Sequence, residues 1–383
     1  MSLWFSASAV TPALTRAWHL TPSQAGWLTT AVQLGFVAGA LLSALVNLAD
    51  VFPAPRVFAA GCVAGALCTL ALARGAHGLL TALPLRFLTG MCLALVYPVG
   101  MKIMATWTTK DRGFGLGLLV GALTVGSAFP HLIKSVGGIG DWRVVLYAVS
   151  AQAVAGGLLV LWAVGLGPHH VPAPRLQWRA MGAAWRDRGV RLANAGYLGH
   201  MWELYAMWTW VPAFLIASYS AAGVASAERR AAVAAFGVIA VGGAGSLAAG
   251  WLADRWGRTR TTMLSMVVSG GCAALIGLTF GSPVAVTALA LVWGVAVVAD
   301  SAQFSSAVSE LADRAYVGTA LATQTAAGFL LTMASIQLTP VIMQRVGWAL
   351  TFPVLAAGPA LGVVAMWRLK NSPMAAKLAG GRG

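Results

Sequence analysis

Residues 250–260 read GWLADRWGRTR, and this stretch joins two long apolar segments of the chain. Its acid, Asp254, closes the first segment, and Gly257 permits a tight turn because glycine adopts backbone angles that other residues avoid. Arg255 and Arg258 lie where they can pair with carboxylates or with the carbonyl ends of neighbouring helices. The stretch predicts a short, basic turn between two membrane-spanning helices.

Apolar segments of this kind recur along most of the chain. Of its 383 residues, 59% are hydrophobic and only 9% are charged, and the mean hydropathy is +0.78. This composition lies outside the range of soluble domains. In lipid, long apolar segments cross as helices because helices satisfy their own backbone hydrogen bonds. The sequence predicts an all-α polytopic membrane protein with a partial span at its start and further spans near 24–48, 57–73, 79–105, 113–136, 144–166, 191–217, 231–253, 261–280, 284–307, 316–342 and 349–367.

Basic residues indicate how these spans are oriented. The formal net charge is +15, but there is no soluble basic domain to hold a nucleic-acid site. With the loop after the 24–48 span in the cytoplasm, that side collects 16 Lys and Arg residues and the opposite side 7. The positive-inside rule therefore predicts a multi-pass protein of the inner (plasma) membrane, with its central linker and carboxyl terminus in the cytoplasm and with no nucleic-acid partner.

The chain also repeats itself. Residues 48–50 and 252–254 both read LAD, and the two copies lie 204 positions apart. GDWR at 140–143 corresponds at nearly the same offset to VGWA at 346–349. The offset predicts two similar halves of six spans each, a form of repetition known in transporters. The predicted organisation is an N-terminal half at 1–166, a cytoplasmic linker with an amphipathic segment at 167–190, a C-terminal half at 191–370 and a cytoplasmic tail at 371–383.

The same offset indicates that the first span is incomplete. Its counterpart in the second half begins near residue 191, so the first span should begin about 13 positions before Met1. We expect either a start upstream of Met1 or a stub at residues 2–14 that lines only the outer leaflet, given a helical rise of about 1.5 Å per residue.

The turn at 250–260 resembles the G-x-L-A-D-R-x-G-R signature of the major facilitator superfamily, which lies between the second and third helix of a half. LRFLTG at 85–90 is similar to the fourth-helix pattern of that superfamily. The resemblance covers essentially the whole chain and implies two pseudo-symmetric six-helix halves that transport a solute by alternating access. It also implies that Arg86 takes part in proton coupling or substrate contact. The residues implied to form a conformational latch are Asp50, Asp254, Arg255, Gly257 and Arg258.

Three ionisable residues lie well inside predicted spans, where charges are costly and usually face a cavity or a partner. They are Arg86 in the fourth span, Glu203 in the seventh and Asp300 in the tenth. The resemblance implies that helices one, four, seven and ten line a central cavity. From the helical rise, Arg86 and Glu203 share a level roughly 10–12 Å below the outer surface, and Asp300 lies roughly 24 Å below it. We expect Arg86 and Glu203 to pair, either as a static link or as partners that exchange during transport, and Asp300 either to carry protons or to bind its local surroundings.

Helical spacing adds further residues to this candidate substrate and proton pathway. Lys102, in contrast, lies near the inner end of the fourth span and is expected to extend its ammonium group to the cytoplasmic surface. The residues that share faces with the three ionisable ones are Tyr97, His200, Met207, Trp210, Trp293 and Phe304.

Together these features predict a proton-coupled secondary active transporter of a small polar solute, with an anionic solute preferred. Burial disfavours the charged form of a carboxyl group and a nearby arginine favours it, so Glu203 and Asp300 are the candidate proton carriers and Arg86 the candidate contact for an anion. One alternative is a proton-driven efflux antiporter for lipophilic or cationic compounds, because acids and aromatic rings suit cations. An alternative of another class is a receptor or scaffold that does not transport.

Enzymes are not favoured by the sequence. It contains no nucleophile elbow, metal cluster or phosphate-binding loop, so we predict neither catalysis nor a cofactor. The expected partners are a small-molecule substrate, protons and the lipid bilayer, and the protein is expected to be a monomer.

Overall fold

The computed structural model describes residues 1–46, 48–107, 112–138, 140–169, 185–313 and 317–383. Within these residues the regular structure is helical and includes no strand, and ten helices are long and apolar enough to cross a membrane. The predicted all-α polytopic fold is confirmed. The long helices are α1 Ser2–Trp18, α2 Pro22–Leu45, α3 Ala54–Gly75, α4 Leu79–Trp107, α5 Arg112–Ile133, α6 Arg143–Ala163, α7 Arg188–Ala221, α8 Ala227–Trp256, α9 Arg258–Leu275, α10 Pro283–Leu311, α11 Val317–Val346 and α12 Ala357–Lys370.

Capping residues explain where two of these helices begin. α2 follows Thr21, whose hydroxyl accepts a hydrogen bond from the Gln24 N–H while the Gln24 side chain accepts one from the Thr21 N–H. α7 follows Asp187, whose carboxylate accepts from the Val190 N–H at 2.9 Å. α7 therefore begins inside the segment predicted as linker. The rest of that segment, with the predicted amphipathic stretch, falls largely on residues 170–184, outside the described residues.

Two helices are interrupted at matching positions of the two halves. α4 is broken at residues 94–96 and α10 at Asp300. The offset of 204 positions relates Asp300 to Val96, so the repeat extends to the irregular parts of the helices. Breaks inside membrane helices are tolerated where protein or a cavity surrounds them. Both breaks lie beside the cavities described below.

The helices of the two halves meet where α5 packs on α8 and α2 packs on α11. Glycines allow close approach of α5 and α8, because a Cβ atom placed on Gly121 would lie 3.3 Å from the Gly243 carbonyl oxygen. Near the outer ends of α2 and α11, the Gln337 amide forms hydrogen bonds of 3.2 Å with the hydroxyls of Ser23 and Thr30. These contacts join the halves at the end of the bundle remote from the basic loops.

α1 is longer than the outer-leaflet stub at residues 2–14, which was one of the two expectations for the first span. α1 has 17 residues. At about 1.5 Å per residue it is roughly 25 Å long, most of the thickness of a hydrocarbon core. Its first side chains, Leu3, Trp4 and Phe5, are no more than 2% exposed and belong to the main core. The start of α1 therefore fills the middle of the bundle.

Candidate functional site

A cavity of about 430 Å³ lies between α2, α4 and α11, toward the helix ends that carry the basic loops. We call it the inner cavity. Apolar side chains form most of its wall, and Tyr97 and Lys102 contribute polar groups. Lys102 was expected to extend its ammonium group to the cytoplasmic surface, and the structure places its side chain in the wall of this cavity. Lys102 follows Pro98 by one helical turn, and since Pro98 also lines the cavity, both residues share the face of α4 that points inward.

A second cavity of about 90 Å³, the central cavity, lies between α4, α5, α7, α10 and α11. Tyr97 and Phe329 line both cavities, so the two adjoin each other. The central cavity is richer in polar and aromatic side chains than the inner one. They include Tyr97, Tyr197, His200, Tyr205, Trp208 and Ser301.

Aromatic side chains from both halves close the centre of the bundle above these cavities. Six residues form this group, which we call the aromatic cluster. They are Trp4 and Phe5 of α1, Phe36 of α2, Tyr205 and Trp208 of α7 and Phe329 of α11. Across helices, centroids of neighbouring rings lie 4.9 to 5.9 Å apart. Such spacing is typical of packed aromatic pairs. The cluster thus joins the halves at the end of the cavities remote from the basic loops.

A buried polar group of the C-terminal half borders the central cavity through His200. The imidazole Nδ1 of His200 lies 2.8 Å from Oδ1 of Asp300, although the ring N–H is not aligned on this oxygen, and its Nε2 lies 3.0 Å from the Ser301 hydroxyl. His200 is 2% exposed and Asp300 is 1% exposed. A protonated His200 forms a buried ion pair with Asp300.

Glu203 lies one turn farther along α7 and is 1% exposed. Its carboxylate accepts hydrogen bonds from the Ser269 hydroxyl of α9 at 2.8 Å and from the Trp293 indole N–H of α10 at 2.7 Å. Asp300 was expected to lie roughly 12 Å deeper than Glu203. Instead its partner His200 is only three positions from Glu203, about 4.5 Å along the helix axis. The structure therefore brings the two predicted carboxyl groups into one cluster.

Arg86 does not meet Glu203 in this structure. The arginine is fully buried and lies among acceptors of the N-terminal half, because the start of α1 places backbone carbonyls next to α4. The expected pair is absent since the guanidinium is already occupied. It donates to the carbonyl oxygens of Leu28 at 3.0 Å, Leu3 at 2.9 Å and Trp4, and to the hydroxyl of Ser6 at 3.3 Å.

Of the predicted pathway residues, only Tyr97 and His200 lie among the described residues that line the two cavities. Arg86 is buried in the N-terminal half, and the others pack inside the C-terminal half. The Trp210 N–H donates to the Ile336 carbonyl at 3.0 Å, and the Phe304 ring lies 5.6 Å from that of His200. The predicted residues outside the cavity walls are Arg86, Glu203, Met207, Trp210, Trp293, Asp300 and Phe304.

The basic turn after α8 is fastened mainly to α10. Arg258 Nη2 lies 2.6 Å from Oε1 of Glu310, and its Nη1 donates to Gln303 Oε1 at 2.8 Å. Asp254, the acid of the predicted latch, is farther from Arg258 at 3.7 Å. The sequence analysis did not identify Glu310 as a latch residue. Its position was a usable signal, because an acid at the end of a predicted span is unusual in a chain with only 10 acidic residues.

The tail of the chain covers the same turn. The Thr259 hydroxyl donates to the Gly383 carbonyl at 2.6 Å, and the Arg382 guanidinium donates to the Asp254 carbonyl. Gly257 has φ of +103°, a left-handed conformation that favours glycine. The other predicted latch residues differ in surroundings. Arg255 lies 3.9 Å from the centre of the Trp251 ring, and Asp50 lies in the helical turn Leu48–Val51 with a side chain outside the described part of the structure.

An ion cluster joins the halves at the end of the bundle remote from the basic loops, which the positive-inside rule predicts to be the outer side. Glu228, at the start of α8, has Oε1 2.9 Å from Lys134 Nζ and Oε2 3.4 Å from Arg16 Nη2. Lys134 follows α5 and is only 3% exposed, whereas Arg16 ends α1 and is 63% exposed. The sequence alone did not reveal this cluster because its members are far apart in the chain. Here the outer side is joined and the larger cavity lies at the opposite end.

Comparison with known proteins adds two findings. The sequence profile of the Major Facilitator Superfamily matches residues 1–243, more than half of the chain. A segment of 128 residues is 33% identical to the Niacin transporter NiaP of Acinetobacter baylyi. That segment covers 31% of this chain and 28% of NiaP, so the similarity spans less than a third of the relative's length.

Proposed function

The chain belongs to the Major Facilitator Superfamily, as its basic turn predicted, and from this membership we propose a secondary active transporter. It moves a small anionic solute by alternating access, and protons are the coupling ion. The observation that carries the choice of solute is the charge of the cavity walls.

The walls of the two cavities carry a cation and no carboxylate among the residues that the structure describes. The cation is Lys102, which lines the inner cavity. The ammonium group of a lysine has three donors, so it can bind an anionic solute in addition to its other interactions. The acid that a cation would need is missing among the described lining residues, and this supports the anion transporter over the alternative of cation efflux.

Uptake by proteoliposomes with an imposed pH gradient tests this proposal. Niacin is the first solute to try, because NiaP is named for it, followed by other small anions and then by cations. We expect anion-dependent pH changes in the lumen. Lys102→Met should lower anion uptake about tenfold, equivalent to roughly 1.4 kcal/mol, while Lys102→Arg retains it. Cation-dependent signals without anion signals would support the efflux alternative instead.

The proton route proposed here runs from the central cavity through His200 to Asp300 and Glu203. His200 borders the cavity, and its imidazole contacts Asp300 at 2.8 Å. The two ring nitrogens of an imidazole can accept a proton on one side and donate one on the other, and Glu203 lies one turn away with its own hydrogen-bond partners. Buried carboxyl groups such as Glu203 and Asp300 are costly to keep charged without a partner. We therefore expect them to bind or release a proton when alternating access changes their exposure to water.

We assign the structure to an inward-facing state. The outer side is joined by Glu228 with Lys134 and Arg16, whereas the inner cavity lies toward the basic loops that the positive-inside rule assigns to the cytoplasm. On this assignment, a cysteine at the exposed Ala376 of the tail should react with an impermeant maleimide only after the cells are permeabilised. Labelling in intact cells would reverse the orientation.

The latch proposed for the basic turn depends on Glu310 more than on Asp254. Glu310 makes the shorter contact with Arg258, so Glu310→Gln should slow transport by about tenfold and Asp254→Asn by less than about threefold. Both substitutions should change the affinity of the protein for the solute by less than about tenfold, because the turn is far from the cavities. Initial uptake rates and equilibrium binding measure the two effects. A larger loss of affinity than of rate would place the turn in the binding site.

A further inference from the structure

We propose that the central cavity, where Trp208, Tyr205 and Phe329 of the aromatic cluster line it, holds a binding site for a flat aromatic monocarboxylate, with the indole N–H of Trp208 as a donor to the carboxylate. This inference rests on the proposed transport of a small anion and specifies the chemical class of that anion. Trp4 of the N-terminal half belongs to the same cluster, and its indole N–H is buried without a partner as well.

The first observation is that both indole N–H groups are buried without an acceptor. Trp4 is 0% exposed and Trp208 is 1% exposed, and the described residues offer neither N–H a hydrogen-bond partner. A buried donor without a partner is costly, and native structures contain few. Three other tryptophans of the C-terminal half show the usual arrangement. The N–H groups of Trp202, Trp210 and Trp293 donate at 3.1, 3.0 and 2.7 Å.

The second observation is the position of these donors. Trp208 lines the central cavity together with Tyr205 and Phe329, and the ring of Trp4 lies 5.2 Å from that of Phe329 and 5.7 Å from that of Tyr205. A flat ring can pack against these faces and edges as the aromatic side chains already do. A saturated ring is thicker and lacks the π faces that such packing uses.

The third observation is the chemistry of the donors. An indole N–H donates and cannot accept, so it recognises an acceptor group on the ligand. Hydrogen bonds to an ionised acceptor are roughly twice as strong as those to a neutral one. The Trp208 donor therefore favours a carboxylate over an amide or an amine.

Equilibrium binding to the purified full chain in detergent, without any ion gradient, tests the inference. The probes are benzoate, the neutral benzamide of the same shape, and cyclohexanecarboxylate with the same charge and no flat ring. We expect benzoate to bind at least about tenfold more tightly than either of the others. Equal affinity for benzoate and cyclohexanecarboxylate, or no benzoate binding at millimolar concentration, overturns the proposal.

A matched pair of variants separates the donor from the ring. Trp208→Phe keeps an aromatic ring and removes the N–H, so benzoate affinity should fall about tenfold while benzamide affinity changes less than about threefold. Trp162→Phe, at an 81% exposed position of α6, should leave both affinities unchanged. Equal weakening of both probes by Trp208→Phe, in a variant that unfolds at the wild-type temperature, shows a packing role and contradicts the assignment.

The outcome is distinguishable from failure of the proposed function. If the wild type takes up another anion with protons but does not bind benzoate, the transport proposal stands and this inference fails. If benzoate binds with the expected response to Trp208→Phe but no anion is transported, the site stands and the transport proposal fails.

Discussion

Glu203→Gln is expected to abolish accumulation of the solute against its gradient while equilibrium binding of the solute stays within about threefold of the wild type. Glutamine keeps the shape of the side chain and can retain both hydrogen bonds, since its carbonyl oxygen accepts from the Trp293 N–H and its amide group donates to the Ser269 hydroxyl. What the substitution removes is the ability to take up and release a proton. A carrier that binds solute but cannot bind the coupling proton loses the energy source for accumulation.

Two assays on the same proteoliposomes separate coupling from binding. Proton-driven uptake measures accumulation, and exchange of labelled for unlabelled solute at equal concentrations measures movement without net work. We expect Glu203→Gln to lose the first and retain the second. Asp141→Asn is the control, because Asp141 is an acid with a 52% exposed side chain outside the cluster. If Glu203→Gln still accumulates solute with the pH dependence of the wild type, the proton travels elsewhere, and Asp300 becomes the next residue to substitute.

The membrane helices were predictable from the sequence because their cause is local. A long apolar segment must cross lipid as a helix, and every predicted full span is helical in the structure. The turn at 250–260 also carried enough information to identify the superfamily, since acid, glycine and arginine spacing is read along the chain without reference to distant residues. Helix boundaries shifted by several residues where caps such as Asp187 determine the start.

The partners of the buried charges were not predictable in the same way. α7 is buried on nearly all sides between Gly199 and Leu215, so periodicity could not show which of its faces meets the cavity. Glu203 turns toward Ser269 and Trp293, which lie 66 and 90 positions away in the chain. Depth estimates also failed for Asp300, because they assume a straight helix along the membrane normal, whereas α10 is interrupted at this residue.

Arg86→Lys is expected to lower the stability of the protein by about 3 kcal/mol or more, because lysine cannot replace the forked set of donors at this position. The Arg86 guanidinium is fully buried and reaches carbonyl oxygens on two helices, Leu28 of α2 and Leu3 of α1. A single ammonium group cannot span these acceptors, so buried carbonyls and a buried charge are left with incomplete hydrogen bonding. The start of α1 should then lose its anchor to α4.

The midpoint of thermal unfolding of the purified protein in detergent measures this loss, and Arg229→Lys at an exposed position near the start of α8 provides the control. We expect the midpoint to fall clearly for Arg86→Lys and to stay at the wild-type value for Arg229→Lys. The superfamily resemblance suggests a different role for Arg86, in proton coupling or substrate contact. That role is supported instead if Arg86→Lys unfolds at the wild-type temperature but loses solute binding or proton-driven uptake. The unfolding midpoint therefore distinguishes two roles of Arg86. In one, the guanidinium anchors α1 through the backbone carbonyls; in the other, it contacts the solute during transport.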